Sequence, residues 1–381
     1  MVALIAVSNL AQGAWSSVAP WANLTGAATL ILAAMTLFTR RRTTAPSVVP
    51  LIAFLAALVL GYLAPALNSS APGKRQQILL TVLLPALVVC FAPTRWKLAR
   101  PFAWTLLALS LGIAALQFVN PAPMDLVAGR RTPNGVNPIN TGRLLAAGAL
   151  ASLVLLLSTK KRLSRLALLV IGATLLLCAA TTGSRGPLAA CLVAGFILIV
   201  TTQKLPPIVR LMAWTGVAAS SYVLFTRGLE SESRLTSSDD GGRLPLIRGT
   251  ISAIEANPLG IGWGNLYNYL PPGTGVQSQG YEQYPHNLFL EFASEAGVIS
   301  IPLVLFAIVA GGLNLRRLAD DDRALFTVLT IFALLSAMVS TNVVGNRLLW
   351  MCLAIGFGAA GVARGAHRGA SRETTSRARI K

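Results

Sequence analysis

The sequence predicts an all-α integral membrane protein with 11 or 12 transmembrane helices and one large outer loop that contains short helices. Hydrophobic residues make up 54% of the 381 residues, and charged residues only 12%. The hydrophobic residues form continuous runs of about 15–20 residues, long enough for a helix to cross a bilayer. Such runs adopt helices because lipid offers the backbone no hydrogen-bond partner. Most Lys and Arg residues fall in short clusters between the runs, as in cytoplasmic loops.

Eleven apolar runs are clear when the chain is followed in order. The first seven lie at about 22–38, 49–67, 78–91, 102–119, 144–157, 166–180 and 188–200. An eighth run precedes a long polar segment, and three more follow it, at about 208–225, 298–315, 324–339 and 348–362. Residues 1–20 form either a twelfth span or an interfacial segment, since several polar residues interrupt them.

The basic clusters predict the orientation of the chain. They follow alternate runs and therefore share one side, which the positive-inside rule makes the cytoplasm. Lys74, Arg75, Arg130 and Arg131 then lie on the outer side, against that rule. The predicted parts are an N-terminal bundle (1–225), a large periplasmic loop (226–297), C-terminal transmembrane helices (298–363) and a basic cytoplasmic tail (364–381).

Polar chemistry is concentrated in residues 241–297. Eight of the 13 acidic residues lie between Glu230 and Glu295, and the stretch holds one of the two histidines. The net charge of +19 can indicate nucleic-acid binding, but no basic stripe with interleaved aromatic residues occurs on a polar segment, so no nucleic-acid partner is expected. One histidine and scattered acids give no metal-ligand spacing, and the four cysteines lie in apolar runs. We therefore expect neither a metal nor another cofactor.

Arg185 is the first candidate site residue. It lies in a short turn, TTGSRGP, where Gly183 and Gly186 permit a sharp bend and Pro187 suits a helix start. A guanidinium beside the free amides of a helix N-terminus can bind an anion. An arginine that only snorkels to the membrane interface gives the same pattern, so both interpretations stay open.

Other arginines on the outer side join it as candidates. Arg243 is expected at the N-terminus of a helix that runs from about Pro245 to Ala256, with Arg248 one turn further along. The planar guanidinium forms paired hydrogen bonds with phosphate and keeps its charge at any working pH. Weaker candidates on the same side are Arg130, Arg131 and Arg347.

His286 is the candidate base. It follows Pro285 and is expected in the first turn of a helix, where a neutral imidazole can accept a proton from a hydroxyl group. A histidine that only caps the helix is the alternative. Asn287, Glu291 and Glu295 share one helical stripe, which can orient the site, bind sugar hydroxyls or form a solvated face.

A glycine-rich stretch, NPLGIGWGN, precedes this helix. Its Gly260, Gly262 and Gly264 lack the strand and helix that surround a dinucleotide-binding loop. The pattern instead indicates a turn that requires glycine or a backbone nest that binds an anion.

The order of these motifs resembles that of the bacterial O-antigen ligase and polymerase family. Multiple spans lead to SRG at a helix start, then to an outer loop with GGR, and then to NPLGIGWGN and PHNLFLEFASEAG before the final spans. The resemblance is sharpest over about 181–300. Members are membrane glycosyltransferases that use polyprenyl-diphosphate-linked glycans, and some relatives transfer oligosaccharides to proteins.

The resemblance implies an activity and site residues. Arg185, Arg243 and His286 match the family's essential basic groups, and Arg248 and Asn287 are further candidates for donor binding. It implies an undecaprenyl-diphosphate-linked glycan donor, a glycan or lipid A-core acceptor, and an inverting, metal-independent transfer at the periplasmic face of the bacterial inner membrane. Ligase, polymerase and protein O-oligosaccharyltransferase share this architecture, so all three remain open.

Two other classes of function also suit a protein with many spans. A transporter or flippase of lipid-linked sugars has charged residues within its spans and often repeated halves. Here the spans are nearly free of charge and show no internal repeat. A non-catalytic scaffold is the second alternative, and it would tolerate substitution of Arg185 and His286.

Overall fold

The computed structural model describes residues 2–7, 24–38, 46–64, 72–91, 98–122, 130–202, 205, 207, 243–270 and 284–359. Of these residues, 81% are helical and none lies in a β-strand, which confirms the predicted all-α class. Each predicted apolar run except the eighth coincides with a helix. The eighth run, residues 8–20, residues 226–242 and 271–283 of the predicted loop, and the 364–381 tail lie outside the described residues.

The helices are numbered here in chain order. The first five are α1 (Val2–Val7), α2 (Leu24–Phe38), α3 (Val48–Leu63), α4 (Pro72–Gln77, continued as a π-helix over Ile78–Leu83 and an α-helix over Leu84–Phe91) and α5 (Ala99–Val119). The others are α6 (Pro138–Ser158), α7 (Arg162–Thr181), α8 (Arg185–Thr201), α9 (Arg243–Ala256), α10 (Leu288–Glu295), α11 (Ser300–Asn314), α12 (Asp320–Ala337) and α13 (Val344–Ala359).

Five helical segments are long and apolar enough to cross a membrane. They are Gly73–Phe91, Ala99–Val119, Pro138–Ser158, Arg162–Thr181 and Ser300–Arg317. Three shorter apolar helices accompany them, Val48–Leu63, Arg185–Thr201 and Val344–Ala359. These lengths and compositions fit the predicted multi-pass membrane protein.

Helix α6 lies at the centre of the bundle. It packs against α5, α7, α8 and α12, which buries most of its length. Gly148 lets α5 approach closely, since a Cβ there would overlap the side chain of Ser110. The Ser110 hydroxyl donates to Leu144 O at 2.8 Å, which joins the two helices by a polar contact. Helix α7 turns much of its surface outward, with exposed Leu163 and Leu177 suited to lipid.

The glycine-rich stretch anchors the loop to α3. The Trp263 indole is 1% exposed, and its Nε1–H donates to Leu58 O at 2.8 Å. The Trp263 amide donates to Gly61 O at 3.0 Å, and its ring meets Phe292 of α10 edge-on at 5.3 Å between centroids. The Trp263 amide therefore satisfies the carbonyl of Gly61, one of the last four of α3 that the helix leaves free, and the indole adds a hydrogen bond to the Leu58 carbonyl one turn earlier.

Replacing Gly61 by alanine is expected to lower the free energy of unfolding by about 1–3 kcal/mol, because the new Cβ would overlap the rigid Trp263 ring. The measurement is thermal or denaturant unfolding of the detergent-solubilised protein. Gly112→Ala is the matched control, since Gly112 also lies within a helix but has no neighbouring atom within 4 Å of an added Cβ. That control should be neutral or stabilising by about 0.5–1 kcal/mol. Equal losses in both variants would contradict this role of Gly61.

One end of the bundle, named here the polar end, collects the candidate site residues. Hydrogen bonds join the segments that meet there. Arg131 N donates to Thr181 O at 2.9 Å, and Asn287 Nδ2 donates to Met338 O at 3.3 Å. Helices α9 and α10 contact each other at this end, and α10 also contacts α3 and α11.

The opposite end of the bundle carries those basic clusters that the structure describes, around residues 160–165 and 316–323. Ala99 N donates to Asp322 Oδ1 at 2.6 Å there. Residues from the ends of α6, α8 and α12 and from the turn after α11 line one cavity at this end, among them Ser158, Thr202, Arg316 and Arg323. The described basic clusters and the candidate site thus lie at different ends of the bundle.

Candidate functional site

Among the arginines whose side chains the structure describes at the polar end, Arg143 is the most deeply buried, and the sequence interpretation missed it. It is 1% exposed in the second turn of α6. Its Nη1 donates to Gly345 O at 3.2 Å and its Nη2 to Asn346 Oδ1 at 3.1 Å. Among the described residues, the hydrogen-bond partners of Arg143 are neutral, and its buried Nε has none. A buried guanidinium without a counter-charge is costly, so this position favours an anion.

The turn that Arg143 contacts leads directly into Arg347. Val344–Asn346 form a short 3₁₀ turn, and Arg347, only 5% exposed, starts the helix that follows. The predicted candidate Arg347 is thus a buried residue next to the partners of Arg143. Arg143 of α6 and Arg347 of α13 therefore both lie at this turn.

Arg185 lies at the N-terminus of α8, where the sequence predicted a helix start. Helix α8 runs for 17 residues from Arg185, with Ser184 as its N-cap residue. Gly183 has a φ of 65°, a left-handed conformation that glycine adopts without strain. The Arg185 side chain is exposed. The free amides and the dipole of this helix end add to its positive potential.

Arg130 and Arg131 lie beside this turn. The half-buried Arg130 side chain packs over Gly183. Arg131 is exposed, its carbonyl accepts from Gln117 Nε2 at 2.9 Å, and its Cζ lies 5.9 Å from the centroid of Phe118. Both arginines therefore belong to the rim around Arg185.

Helix α9 agrees with the prediction in its bounds. It begins at Arg243 and ends at Ala256, before Asn257 and Pro258. The Arg243 side chain lies outside the described part of the structure. Arg248, one turn further, is exposed.

His286 precedes α10, so its predicted place in the first turn of the helix is wrong. Asn287 is the N-cap residue, and its Oδ1 accepts from Phe289 N at 3.0 Å and Leu290 N at 3.1 Å. Asparagine is a preferred N-cap because its side chain satisfies amides that the helix leaves free. His286 is half-buried with a φ of 56°, and its ring lies 4.5 Å from that of Tyr284. A left-handed φ is uncommon outside glycine and is concentrated at functional positions.

The segment after α12 connects the histidine with the two arginine positions. Gly186, next to Arg185, packs against Val339 and Ser340. Asn287, next to His286, donates to Met338 O. Tyr284, which contacts His286, lies within electrostatic range of Arg143. The structure therefore brings His286, Arg185 and Arg143 to the same end of the bundle.

Glu291 and Glu295 form a buried ion triad with Lys74. Lys74 Nζ lies 2.7 Å from Glu291 Oε1 and 2.5 Å from Glu295 Oε2. All three side chains are at most 1% exposed, so the solvated-face and sugar-binding interpretations of the two glutamates are wrong. The ammonium of Lys74 also lies 5.8 Å from the centroid of Trp263. These two carboxylates neutralise Lys74 at the polar end, which gives a physical reason for a buried lysine at the predicted outer side.

The expectation that the spans are nearly free of charge needs correction at two buried positions of the five long spans. Lys74 is the second residue of the Gly73–Phe91 span and Arg143 the sixth of Pro138–Ser158. Both lie near a helix end at the polar end of the bundle rather than midway along the span. This placement differs from the midplane charges of transporters.

The environment of Glu291 raises the pKa of its carboxyl above the usual 4.5. Burial is the main cause, Lys74 opposes it, and the neighbouring Glu295 carboxylate adds to it. Glu291 Oε2 also accepts from Val343 N at 2.8 Å, which favours the ionised form. The net effect of these contributions is a raised pKa for Glu291.

We expect stability to fall as pH rises because of this raised pKa. Folding favours the protonated carboxyl, so its contribution is complete below about 4.5 and is lost as pH rises to about 7. Thermal unfolding should therefore need a higher temperature at about pH 5.5 than at about pH 7.5. Glu291→Gln should weaken this dependence, whereas Glu255→Gln, at an exposed position of α9, should keep it. An unchanged dependence in Glu291→Gln would refute the assignment.

The amides of the glycine-rich stretch are used within the protein. Gly260, Gly262 and Gly264 have φ values of 94°, 85° and 86°, as a turn that requires glycine would show. Ile261 N donates to Ser294 O and Gly262 N to Glu295 O, both at 2.9 Å. The predicted turn is therefore present, and the anion-nest alternative is wrong for these amides.

Within the described ranges, no group of three or more His, Cys, Asp or Glu side chains is arranged to hold a metal ion.

Comparison with known families agrees with the resemblance inferred from the motifs. Residues 139–307 match the family model described as O-antigen ligase. This stretch includes the positions of Arg143, Arg185, Arg243 and His286. No curated protein sequence matches the chain. The chain is thus a membrane protein in which residues 139–307 match the O-antigen ligase family.

Proposed function

We propose that this protein transfers a glycan from undecaprenyl diphosphate to a hydroxyl acceptor, of which lipid A-core is the first choice. The observation that carries the proposal is the gathering of Arg143, Arg185 and His286 at one end of the helix bundle, within the stretch that matches the family. The site would face the periplasm of a bacterial inner membrane, since the described basic clusters lie at the opposite end.

The arginines are assigned to the diphosphate of the donor. Arg143 offers a buried guanidinium whose described hydrogen-bond partners are neutral, and Arg185 adds its charge to the N-terminus of α8. Arg243 is assigned to the same role from the start of α9. Negative charge grows on the diphosphate as it leaves, and fixed positive groups stabilise that charge. Further candidates around the donor are Arg248, Arg130, Arg131, Arg347 and Asn287.

His286 is assigned to the acceptor. The acceptor oxygen attacks the anomeric carbon on the face opposite the phosphate, and its proton passes to the imidazole. The bond between the anomeric carbon and the phosphate oxygen breaks, and its electron pair leaves with undecaprenyl diphosphate. A single displacement of this kind inverts the anomeric configuration. The arginines supply the positive charge that a metal ion supplies in other glycosyltransferases.

Incubation of the purified protein with a defined undecaprenyl-diphosphate oligosaccharide and a set of acceptors tests this proposal. A ligase adds one glycan to lipid A-core, which gives a single new band on a gel. A polymerase joins glycans on the lipid carrier and gives a ladder, and a protein O-oligosaccharyltransferase modifies a peptide acceptor. Donor that stays intact with every acceptor, in protein shown to be folded, would favour a transporter or a scaffold instead.

A further inference from the structure

The side chain of Glu291 joins three parts of the polar end. It belongs to α10, pairs with Lys74 of α4, and accepts a hydrogen bond from Val343 N at 2.8 Å. Val343 is fixed on its other side as well, because its carbonyl accepts from Trp350 Nε1 at 2.8 Å. Glu291 is fully buried, so water does not replace these partners.

Each of these parts carries or holds a residue of the proposed site. The turn that begins at Val343 contains Gly345 and Asn346, the acceptors for Arg143. The π-helical part of α4, Ile78–Leu83, packs against the same turn. Departures of this kind from α-helical geometry occur often near functional sites.

The N-terminal end of α10 depends on the same anchor. Glu291 N donates to Asn287 O at 3.0 Å, one turn before it. Asn287 caps the helix, and His286 precedes it in a left-handed conformation. Such a conformation is strained for a residue other than glycine and persists only where its surroundings hold it. The direction of the imidazole therefore depends on how α10 is fixed.

We propose that Glu291 is a positioning residue for glycan transfer. It holds the His286–Asn287 segment in a fixed position relative to the 343–347 turn, which contains Arg347 and the two acceptors for Arg143. This inference rests on the proposed function. Glu291 does not touch the reacting atoms. It acts through Val343 on one side and through the cap of α10 on the other.

Because the chain has only two histidines, the position of His286 can be followed directly. In a His367→Gln background, isotope labelling of histidine leaves the imidazole of His286 as the single observed ring by NMR. Glu291→Leu keeps the bulk of the side chain and removes both polar contacts, and it should shift or broaden the His286 signals. Glu291→Gln keeps an acceptor for Val343 N, and Glu295→Gln leaves Glu291 intact, so both should retain signals close to those of the parent.

The kinetic readout should follow the NMR signal. We expect Glu291→Leu to lower kcat at least tenfold with KM for the donor within about threefold, and Glu291→Gln to recover most of the rate.

If Glu291→Leu fails to fold, Val343→Pro breaks the same hydrogen bond with every ionisable group in place, since the φ of −53° at Val343 suits proline. Unchanged His286 signals in the folded variant would overturn the inference. Shifted signals with no transfer by the parent protein would instead remove the proposed function.

Discussion

Replacing Lys74 by methionine is expected to lower the free energy of unfolding by about 3–5 kcal/mol, because it leaves two carboxyl groups buried without their cation. Glu291 and Glu295 are fully buried, and one oxygen of Glu295 has no hydrogen-bond partner among the described residues. The loss can be measured by thermal or denaturant unfolding in detergent or nanodiscs. Lys160→Met is the control, since Lys160 is exposed.

A compensating variant separates the loss of charge balance from the loss of packing. In Lys74→Met combined with Glu291→Gln and Glu295→Gln, no buried charge remains in the triad, so much of the stability should return. If Lys74→Met alone unfolds at the temperature of the parent protein, the charge balance of the triad does not stabilise the fold.

Replacing His286 by asparagine is expected to slow glycan transfer by about 10²–10⁴-fold, the usual contribution of a general base. Asparagine is the suitable substitute because it tolerates the left-handed backbone conformation at this position, which alanine does not. It cannot accept the proton of the acceptor hydroxyl. The rate is measured with a defined lipid-linked oligosaccharide under saturating acceptor.

His367→Asn is the matched control for that experiment. His367 is the other histidine of the chain and lies in the tail, outside the described residues. This substitution should leave the rate unchanged. A folded His286→Asn protein with the rate of the parent would exclude a base role for His286, while leaving the arginines as candidates for donor binding.

The helix bundle was largely predictable from the sequence, because a membrane span is recognised from the hydrophobicity of its own consecutive residues. The runs at 102–119 and 144–157 fall within α5 and α6, for example. The start of α4 was missed by a few residues. The predicted run begins at 78, but the helix begins at Pro72 and includes Lys74. Hydropathy cannot detect that this lysine is neutralised by glutamates more than two hundred residues away.

The candidate site was predictable where a local motif marks it. The glycine turn before Arg185 and the helix start at Arg243 are local features, and both are present. Arg143 was missed because an arginine just before an apolar run looks like a residue at the membrane interface. Its burial comes from contacts with Gly345 and Asn346, which only the folded chain brings near. A basic residue at a span end on the side opposite the main basic clusters is the signal that points to Arg143 and to Lys74 alike.

Release of undecaprenyl diphosphate from a labelled lipid-linked oligosaccharide, by purified protein in nanodiscs with a metal chelator, tests the central claim most directly. We predict that the parent protein releases one undecaprenyl diphosphate for each glycan that appears on the acceptor. Arg185→Gln and His286→Asn should fold and release it at least about 100-fold more slowly. Equal release by these folded variants, or no release by the parent with any acceptor, would contradict the assignment of this end of the bundle as a glycosyltransferase site.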